Sequence, residues 1–534
     1  MDLAKNTYLN SEQYGKFSPL ITDYLLQKDN VRQLYSAFPS DDSFVNHTKE
    51  KLSQYKHREI VHKVLSEQMS GLNLSEKQIQ NLNKFKLSNT ATVTTGHQLN
   101  LLTGPLYFFY KILQVIRCCE EMNAKHPEFN YVPVFWMATE DHDFAEINHF
   151  YHKNQTVHWE KDASGAVGRL NLDGIEGVFN VFSNQLPNIS NAQTLKELIQ
   201  NSYLNSKTLA EAAQKLVHSL FGEFGLLIID GDDRELKKLM IPAFQDELIN
   251  NSAFKKVSES NQFLIENNYS IQVNPREINL FYLGNGNIRE RIVFENEHFY
   301  VLDSEFKFTQ EEIISELNSN PEKFSPNALL RPFYQETILP NIAYIGGSGE
   351  IAYWLQLKNY FDTQDIIFPL LIVRNSVLIL NQKQKSKLEK LDLDYKDLFR
   401  PLFELVSGNV MEHTDTKIDF AYYKSQIQHI FNELSEKSAQ TDITFANMIN
   451  AQRVKQLKGM TKMEQRLVKA EKKKNSERVE RIENIYSELF PKGNLQERVM
   501  NFSDFWIEYG SGFVKEIYEE IHPFEFRFII KTLP

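Results

Sequence analysis

Three short polar runs in this 534-residue chain combine residue types that do chemistry. The first is Thr95-Gly96-His97-Gln98, followed by Thr103-Gly104. Its glycines would let backbone N–H groups approach a ligand, and a helix beginning just after them would favour an anion. A tight turn with a solvent-facing His97 explains the same residues. The second run is Glu140-Asp141-His142-Asp143, within 140-EDHDFAEINH-149. Carboxylates beside His142 would orient its ring, which suits a general base that deprotonates an amine. If a helix starts there, His142, Glu146 and His149 share one face at i, i+4, i+7, and Glu140 and Asp143 share another. The first trio also suits a divalent metal, as in a metal-dependent hydrolase. A capped helix start is the third reading. The last run is Gly346-Gly347-Ser348-Gly349-Glu350, which is either a nest for a phosphate or carboxylate or a tight strand–helix connection. It matches neither a Walker A loop nor GxGxxG. Just upstream, Arg331, Gln335 and Glu336 fall on one helical face. Arg374 follows the next apolar run, where it could grip a carboxylate or phosphate bidentately or make a structural ion pair.

Each run sits at the end of an apolar, β-branched segment. Residues 90–95, 131–139, 225–230, 342–345 and 367–373 read as buried strands, and 105–123 reads as an apolar helix with Thr103 or Gly104 as its cap and Pro105 in its first turn. Strand, helix, strand within fifty residues predicts a βαβ unit with a right-handed crossover. The fold class is therefore α/β: a Rossmann-like, doubly wound parallel core over residues 91–379. In such sheets ligands bind beyond the carboxyl ends of the strands. Residues 270–303 alternate aromatic and polar residues around Gly-Asn turns, which predicts an antiparallel meander inserted in that core. Residues 1–90 read as short polar helices packing on the core, and 491–534 as an aromatic-rich segment docking on it.

Residues 380–490 differ in texture: charged, nearly free of Gly and Pro, and helix-forming. Between Arg453 and Glu483 there are eleven Lys or Arg against five Asp or Glu. Leu457, Met460 and Leu467 keep a 3-then-7 spacing, and Val479, Ile482, Tyr486 and Leu489 a 3-4-3 spacing. A polar stretch, 471-EKKKNSE-477, separates the two. This predicts a long helix with an interrupted heptad seam, paired with a helix near 382–396 in an antiparallel coiled coil. Such an arm serves homodimerisation; a basic arm could instead hold a nucleotide, which would make the chain a nucleotide-binding scaffold.

The bulk properties narrow the classes. A net charge of −11 argues against nucleic acid as a partner. The longest apolar run, 366–373, is too short to cross a bilayer. The first thirty residues lack the basic and apolar regions of a signal peptide, so a cytoplasmic location is expected. The two cysteines, Cys118 and Cys119, are adjacent, which disfavours a disulfide and excludes a cysteine-based zinc site. They read as core residues.

Three long segments carry a family resemblance: TGHQLNLLTGPLYFFYKI, VPVFWMATEDHDFAEINH and NALLRPFYQETILPNIAYIGGSGEIAYW. In that order they resemble the cysteine-adding enzymes of bacillithiol biosynthesis, the BshC family, and the resemblance runs nearly end to end. It implies a Rossmann-like core with connecting-peptide insertions and a coiled-coil dimerisation domain. It also implies a ligase that joins cysteine to glucosaminyl-malate through an amide, the last step of that synthesis. The matching loop positions are Gly96, Gln98, Glu140, Asp141, His142, Asp143, Gly346, Gly349 and Glu350. ATP with Mg is the expected co-substrate, with no tightly bound metal or organic cofactor. The comparable ligase of mycothiol synthesis resembles class I aminoacyl-tRNA synthetases with an HxGH loop; TGHQ departs from it, with one His and altered order. The expected roles are His142 as base, oriented by Asp141 or Asp143; Gly96, His97 and Gln98 as the nucleotide or substrate loop; and the GGSGE nest as an anion site.

Overall fold

The structure, a computed structural model, describes residues 3–534 except 154, 285–287, 416, 439, 440 and 442. Its centre is a five-stranded parallel sheet: β1 Thr90–His97, β2 Asn130–Met137, β3 Leu227–Asp230, β4 Asn341–Gly346 and β5 Leu370–Val373. These are the five runs expected from the apolar pattern, and every residue of β1, β4 and β5 is buried. Continuous burial is why they read as unbroken β-branched runs rather than alternating ones. The order β3-β2-β1-β4-β5 is that of a Rossmann-like domain, and it reverses direction between β1 and β4. Pro133 lies inside β2, where a missing N–H is normally costly. The register resolves this: β3 pairs with β2 only from Val134 onward, so Pro133 has a neighbour on one side, Val93 of β1.

The first helix of the core, α1 (Tyr107–Lys125), is buried over most of its circumference. One side faces the sheet. The other meets the returning C-terminal segment, where the Phe109 ring lies 4.9 Å from Phe502 and 5.8 Å from Phe513. Cys118 and Cys119 are free and buried in this helix, and burial pushes both thiols up. The start of α1 corrects one expectation. Neither Thr103 nor Gly104 caps it: Leu101–Thr103 is a separate 3-10 turn, Leu106 occupies the cap position, and Gly104 adopts φ +65, ψ −138. The turn bends because Leu102 and Thr103 also take positive φ, so the chain must reset before a helix can begin.

Between β3 and β4 the chain builds an antiparallel sheet that includes Leu280–Gly284, Ile288–Glu295 and His298–Val301. This is the expected meander; its Gly-Asn turn at 285–287 lies outside the described residues. The helix α2 (Arg234–Lys238) follows β3 and is capped by Asp233, whose carboxylate accepts from the Glu235 and Leu236 N–H groups. Later come α3 (Arg331–Ile338) and α4 (Ser348–Leu355). A third sheet had no expectation in the sequence: Asn6–Leu9, Phe528–Thr532 and Ser376–Leu380 form three strands, the first two paired antiparallel.

The chain divides into two compact units, residues 6–379 with 494–533, and residues 380–493 with the extreme termini. The second contains α5 (Leu402–Glu412), α6 (Phe420–Ser438), α7 (Ile443–Lys474) and α8 (Ser476–Leu489). The partner of the long α7 is α6, not the segment 382–396, which forms only the short helix Gln382–Lys390 and packs on α8. Asp392, with φ +51, stops that helix early. The polar stretch 471–477 breaks the long helix at Asn475, where α7 ends and α8 begins. No helix among the described residues is long and apolar enough to cross a membrane.

Candidate functional site

A cavity of about 610 Å³ opens at the carboxyl ends of β1, β2, β4 and β5, where the strand order reverses. Its wall contains Gly96, His97 and Gln98 from β1 and its loop, Glu140, Asp141 and His142 after β2, Arg331 of α3, Gly347, Gly349 and Glu350 around the start of α4, and Arg374 after β5. Five sequence candidates fall outside this lining. Thr103 is buried and Gly104 turns its carbonyl to Asn501. Asp143 is exposed, Gln335 is buried behind Arg331, and Gly346 lies at the end of β4.

The β1 end is apolar around His97. Its ring sits edge-on to Tyr107 at 5.4 Å and tilted to Phe108 at 5.2 Å. Burial, aided by the Lys111 ammonium, drives its pKa down to about 3, so the ring is neutral. This corrects the reading of a solvent-facing histidine. Gln98 reaches the other way and donates from Nε2 to Asp141 Oδ2 at 2.7 Å and to Glu146 Oε2 at 2.8 Å. The TGHQ loop and the EDHD loop are thus tied to each other directly.

The EDHD residues do not form a helical face. Only Phe144–Ile147 is helical, and His149 begins a strand whose partner position is His158. His142, Glu146 and His149 therefore do not converge as the metal reading required; among the described residues no group of three His, Cys, Asp or Glu is placed to hold an ion. Arg289 of the inserted sheet points Nη1 at His142 Nδ1 at 2.6 Å, and its guanidinium lies 3.9 Å over the Phe281 ring. A guanidinium only donates, so Nδ1 is the acceptor and the ring proton sits on Nε2. The lone pair a base would use is already engaged. Asp141 Oδ1 accepts from the His142 backbone N–H at 2.7 Å and lies 3.7 Å from the ring Nδ1, beyond hydrogen-bond reach.

Glu140 is different. It lines the cavity beside the buried Lys237, whose Nζ is 2.5 Å from Glu140 Oε1 and 3.2 Å from Asp232 Oδ1. Arg169 completes this cluster through two bonds to Asp232, at 2.6 and 2.7 Å. Burial raises the proton affinity of the Glu140 carboxyl, with Lys237 opposing. Deeper still, burial and the nearby Asp232 push Asp230 up to about 7.

The glycine-rich loop is occupied by its own chain. Glu350 Oε2 accepts from the Gly347 N–H at 2.7 Å, and Oε1 pairs with Lys111 Nζ at 2.8 Å. Burial opposes the Glu350 charge, but Lys111 and the Gly347 N–H outweigh it and hold the carboxyl below its usual value. The nest expected to bind an external anion thus already holds one. Arg374 is committed as well. It meets Glu497 bidentately at 3.1 and 2.7 Å, with both side chains buried, so it makes the structural ion pair rather than a substrate clamp.

Arg331 stands apart. Its Nη1 donates to Gln335 Oε1 at 3.0 Å, its guanidinium lies 5.9 Å over the Tyr344 ring, and Tyr353 is a further neighbour. Its hydrogen bonds go to the neutral Gln335 and Tyr353, the Glu350 and Glu336 carboxyls act on it electrostatically, and it lines the cavity. The sequence reading missed Lys111, Lys237, Arg289, Arg498 and the tyrosines of the wall. Lys111 had a legible signal: one lysine inside the apolar run YFFYKILQVI is a buried charge that must find a partner.

Residues 5–375 match the N-terminal Rossmann-like domain of bacillithiol biosynthesis BshC, and residues 377–533 match its C-terminal coiled-coil domain. Proteins named "Putative cysteine ligase BshC" are similar over nearly their whole length. Those of Flavobacterium johnsoniae and Flavobacterium psychrophilum are each 44% identical, covering 97% and 98% of this chain and 98% of the relative in both cases. That of Bacillus cereus is 27% identical, covering 94% of this chain and 95% of the relative. With both domains matched in order, and with the loops that carry the resemblance gathered around one cavity, the chain belongs to the BshC family of bacillithiol biosynthesis.

Proposed function

We propose that this chain is a ligase that joins cysteine to glucosaminyl-malate through an amide, in the cavity at the switch point of its parallel sheet. The observation that carries the reading is the division of charge in that cavity. Arg331, hydrogen-bonded to the neutral Gln335 and Tyr353, presents a guanidinium in the cavity wall that suits a carboxylate, while Glu140 and Asp141 line the wall near the TGHQ loop. A malate group carries two carboxylates, and the bidentate fork of an arginine fits one of them. Arg498, exposed at the same cavity, suits the second. The amine then lies toward the carboxylates.

The amine must lose a proton to become a nucleophile. Glu140, whose proton affinity is raised by burial, takes that role in place of His142. His142, Arg289 and Gln98 hold the loop that presents it. The carbon–nitrogen bond forms as the amine attacks the cysteine carbonyl carbon, the leaving group departs with its electron pair, and the amine proton passes to the carboxylate. A free carboxylate does not acylate an amine at a useful rate, so ATP with Mg is the proposed co-substrate for activation. The Gly347 loop, filled by Glu350, does not fit a phosphate, and no step is routed through it. The reading further takes the chain as a homodimer joined by its coiled coil and working in the cytoplasm.

Calorimetric titration of the full chain with glucosaminyl-malate tests the reading. Saturable binding is expected, and Arg331→Met should weaken it by a factor of roughly ten or more, as loss of a charged hydrogen-bond pair does. Absence of binding by the unaltered protein would overturn it.

A further inference from the structure

Behind Arg331 lies a line of buried polar side chains that touches no part of the cavity. Gln335, Glu336, Asn341, Thr92 and Thr94 have no exposed surface. Buried polar groups of this kind are costly unless each finds its partner, and here the partners follow one direction. Thr94 Oγ1 donates to Asn341 Oδ1 at 2.8 Å, with Thr92 Oγ1 at 3.3 Å on the same oxygen. That leaves the Asn341 amide nitrogen to donate, which it does to Glu336 Oε1 at 2.7 Å. Gln335 Nε2 donates to the same Oε1 at 2.8 Å. Lys51 anchors the far side, donating to the Glu336 carbonyl at 2.7 Å with its ammonium 3.9 Å from Glu336 Oε2.

The consequence is orientational. An amide side chain has one donating and one accepting end. Glu336 Oε1 already accepts from the Asn341 amide, so a proton on this carboxyl would sit on Oε2; in either state Oε1 forces the Gln335 nitrogen inward and the Gln335 Oε1 outward. That oxygen receives Arg331 Nη1 at 3.0 Å. Were the amide reversed, its nitrogen would face the guanidinium, donor against donor. The guanidinium is also set close to the end of β1: a Cβ placed on Gly96 would lie 3.4 Å from Arg331 Nη1. We infer that Gln335, Glu336 and Asn341 are positioning residues, a relay running from the sheet that fixes the polarity of Gln335 and through it the aim of the Arg331 guanidinium into the cavity. The inference rests on the reading of Arg331 as the carboxylate-binding residue. It also explains why Gln335, one of the sequence candidates, stands outside the cavity lining.

The test is a double-mutant cycle read by calorimetry with glucosaminyl-malate on the full chain. Gln335→Leu should weaken binding about five- to ten-fold. Glu336→Gln keeps an accepting oxygen for both amides and should stay within about two-fold of the unaltered protein, whereas Glu336→Met should resemble Gln335→Leu. In an Arg331→Met background, Gln335→Leu should add nothing, because its target is gone. A Gln335→Leu effect of equal size in both backgrounds would overturn the relay, as would full affinity in that variant. Should Glu336→Met fail to fold, the Gln335 cycle decides alone. If Arg331→Met itself binds normally, the reading of Arg331 falls and the relay with it; if Arg331→Met is weakened and Gln335→Leu is not, the relay alone falls.

Discussion

His97 shows how a residue's surroundings can reverse its apparent role. In TTGHQ it reads as a ligand-contacting or solvent-facing residue of a loop, yet it is packed against Tyr107 and Phe108 with burial holding its pKa near 3. Its folded pKa is depressed below the unfolded value of about 6.5, so the unfolded chain binds the extra proton first. The folded state therefore loses stability as pH falls from about 6.5 toward 3, by up to about 1.4 kcal/mol per unit. His97→Phe removes that contribution. Denaturant unfolding at pH 7 and pH 4.5 should show the variant losing less stability than the parent, by about 2 kcal/mol. Asp230 and Glu336, each raised to about 7 by burial first, act in the opposite sense. Their contribution is present below their usual values and lost as pH rises through 7, but it is common to both proteins and cancels in the difference. Equal acid losses in parent and variant would contradict the burial account. At this scale residue types were legible and their partners were not. Gly96, Gln98, Glu140 and Asp141 all reach the cavity, but nothing local in EDHD could announce that Arg289, 147 positions later, would occupy His142 Nδ1.

At the scale of elements, the strands were the most legible part of the molecule. A parallel strand buried on both faces is rich in apolar and β-branched residues, so all five core strands stood out as runs, β1 through its threonines and Val93. Turns were less so. The 3-10 turn at 101–103 depends on Gly104 at φ +65, ψ −138, a conformation open only to glycine, and a Cβ there would lie 2.7 Å from Asn100 Cβ. Gly104→Ala should destabilise the protein by roughly 2–3 kcal/mol, combining backbone strain with that clash, as measured by the denaturation midpoint. A loss under 0.5 kcal/mol would mean that the turn does not need glycine. The edge sheet of Asn6–Leu9, Phe528–Thr532 and Ser376–Leu380 was illegible for a plain reason. Its strands are brief and their partners lie well over a hundred residues away, so no local period announces them.

Across the whole molecule, the charged region 380–490 read correctly as helical, but its pairing did not. Heptad spacing places residues on a face without naming the face opposite. The helical hairpin of α6 and α7 leaves large apolar side chains exposed, among them Tyr422, Ile430, Met448 and Met463. In the proposal a second copy covers these side chains. Sedimentation should show a dimer for the parent and a monomer for the Ile430→Glu, Met463→Glu double variant. A parent that sediments as a monomer would remove the dimer from the proposal while leaving the cavity untouched.

The claim that everything else serves is that this chain joins cysteine to glucosaminyl-malate. The most direct measurement is the level of both thiol product and precursor, by mass spectrometry, in cells whose gene for this chain has been cleanly deleted. The account predicts that bacillithiol disappears and glucosaminyl-malate accumulates, with both restored by the intact gene. Normal bacillithiol in the deletion would contradict it.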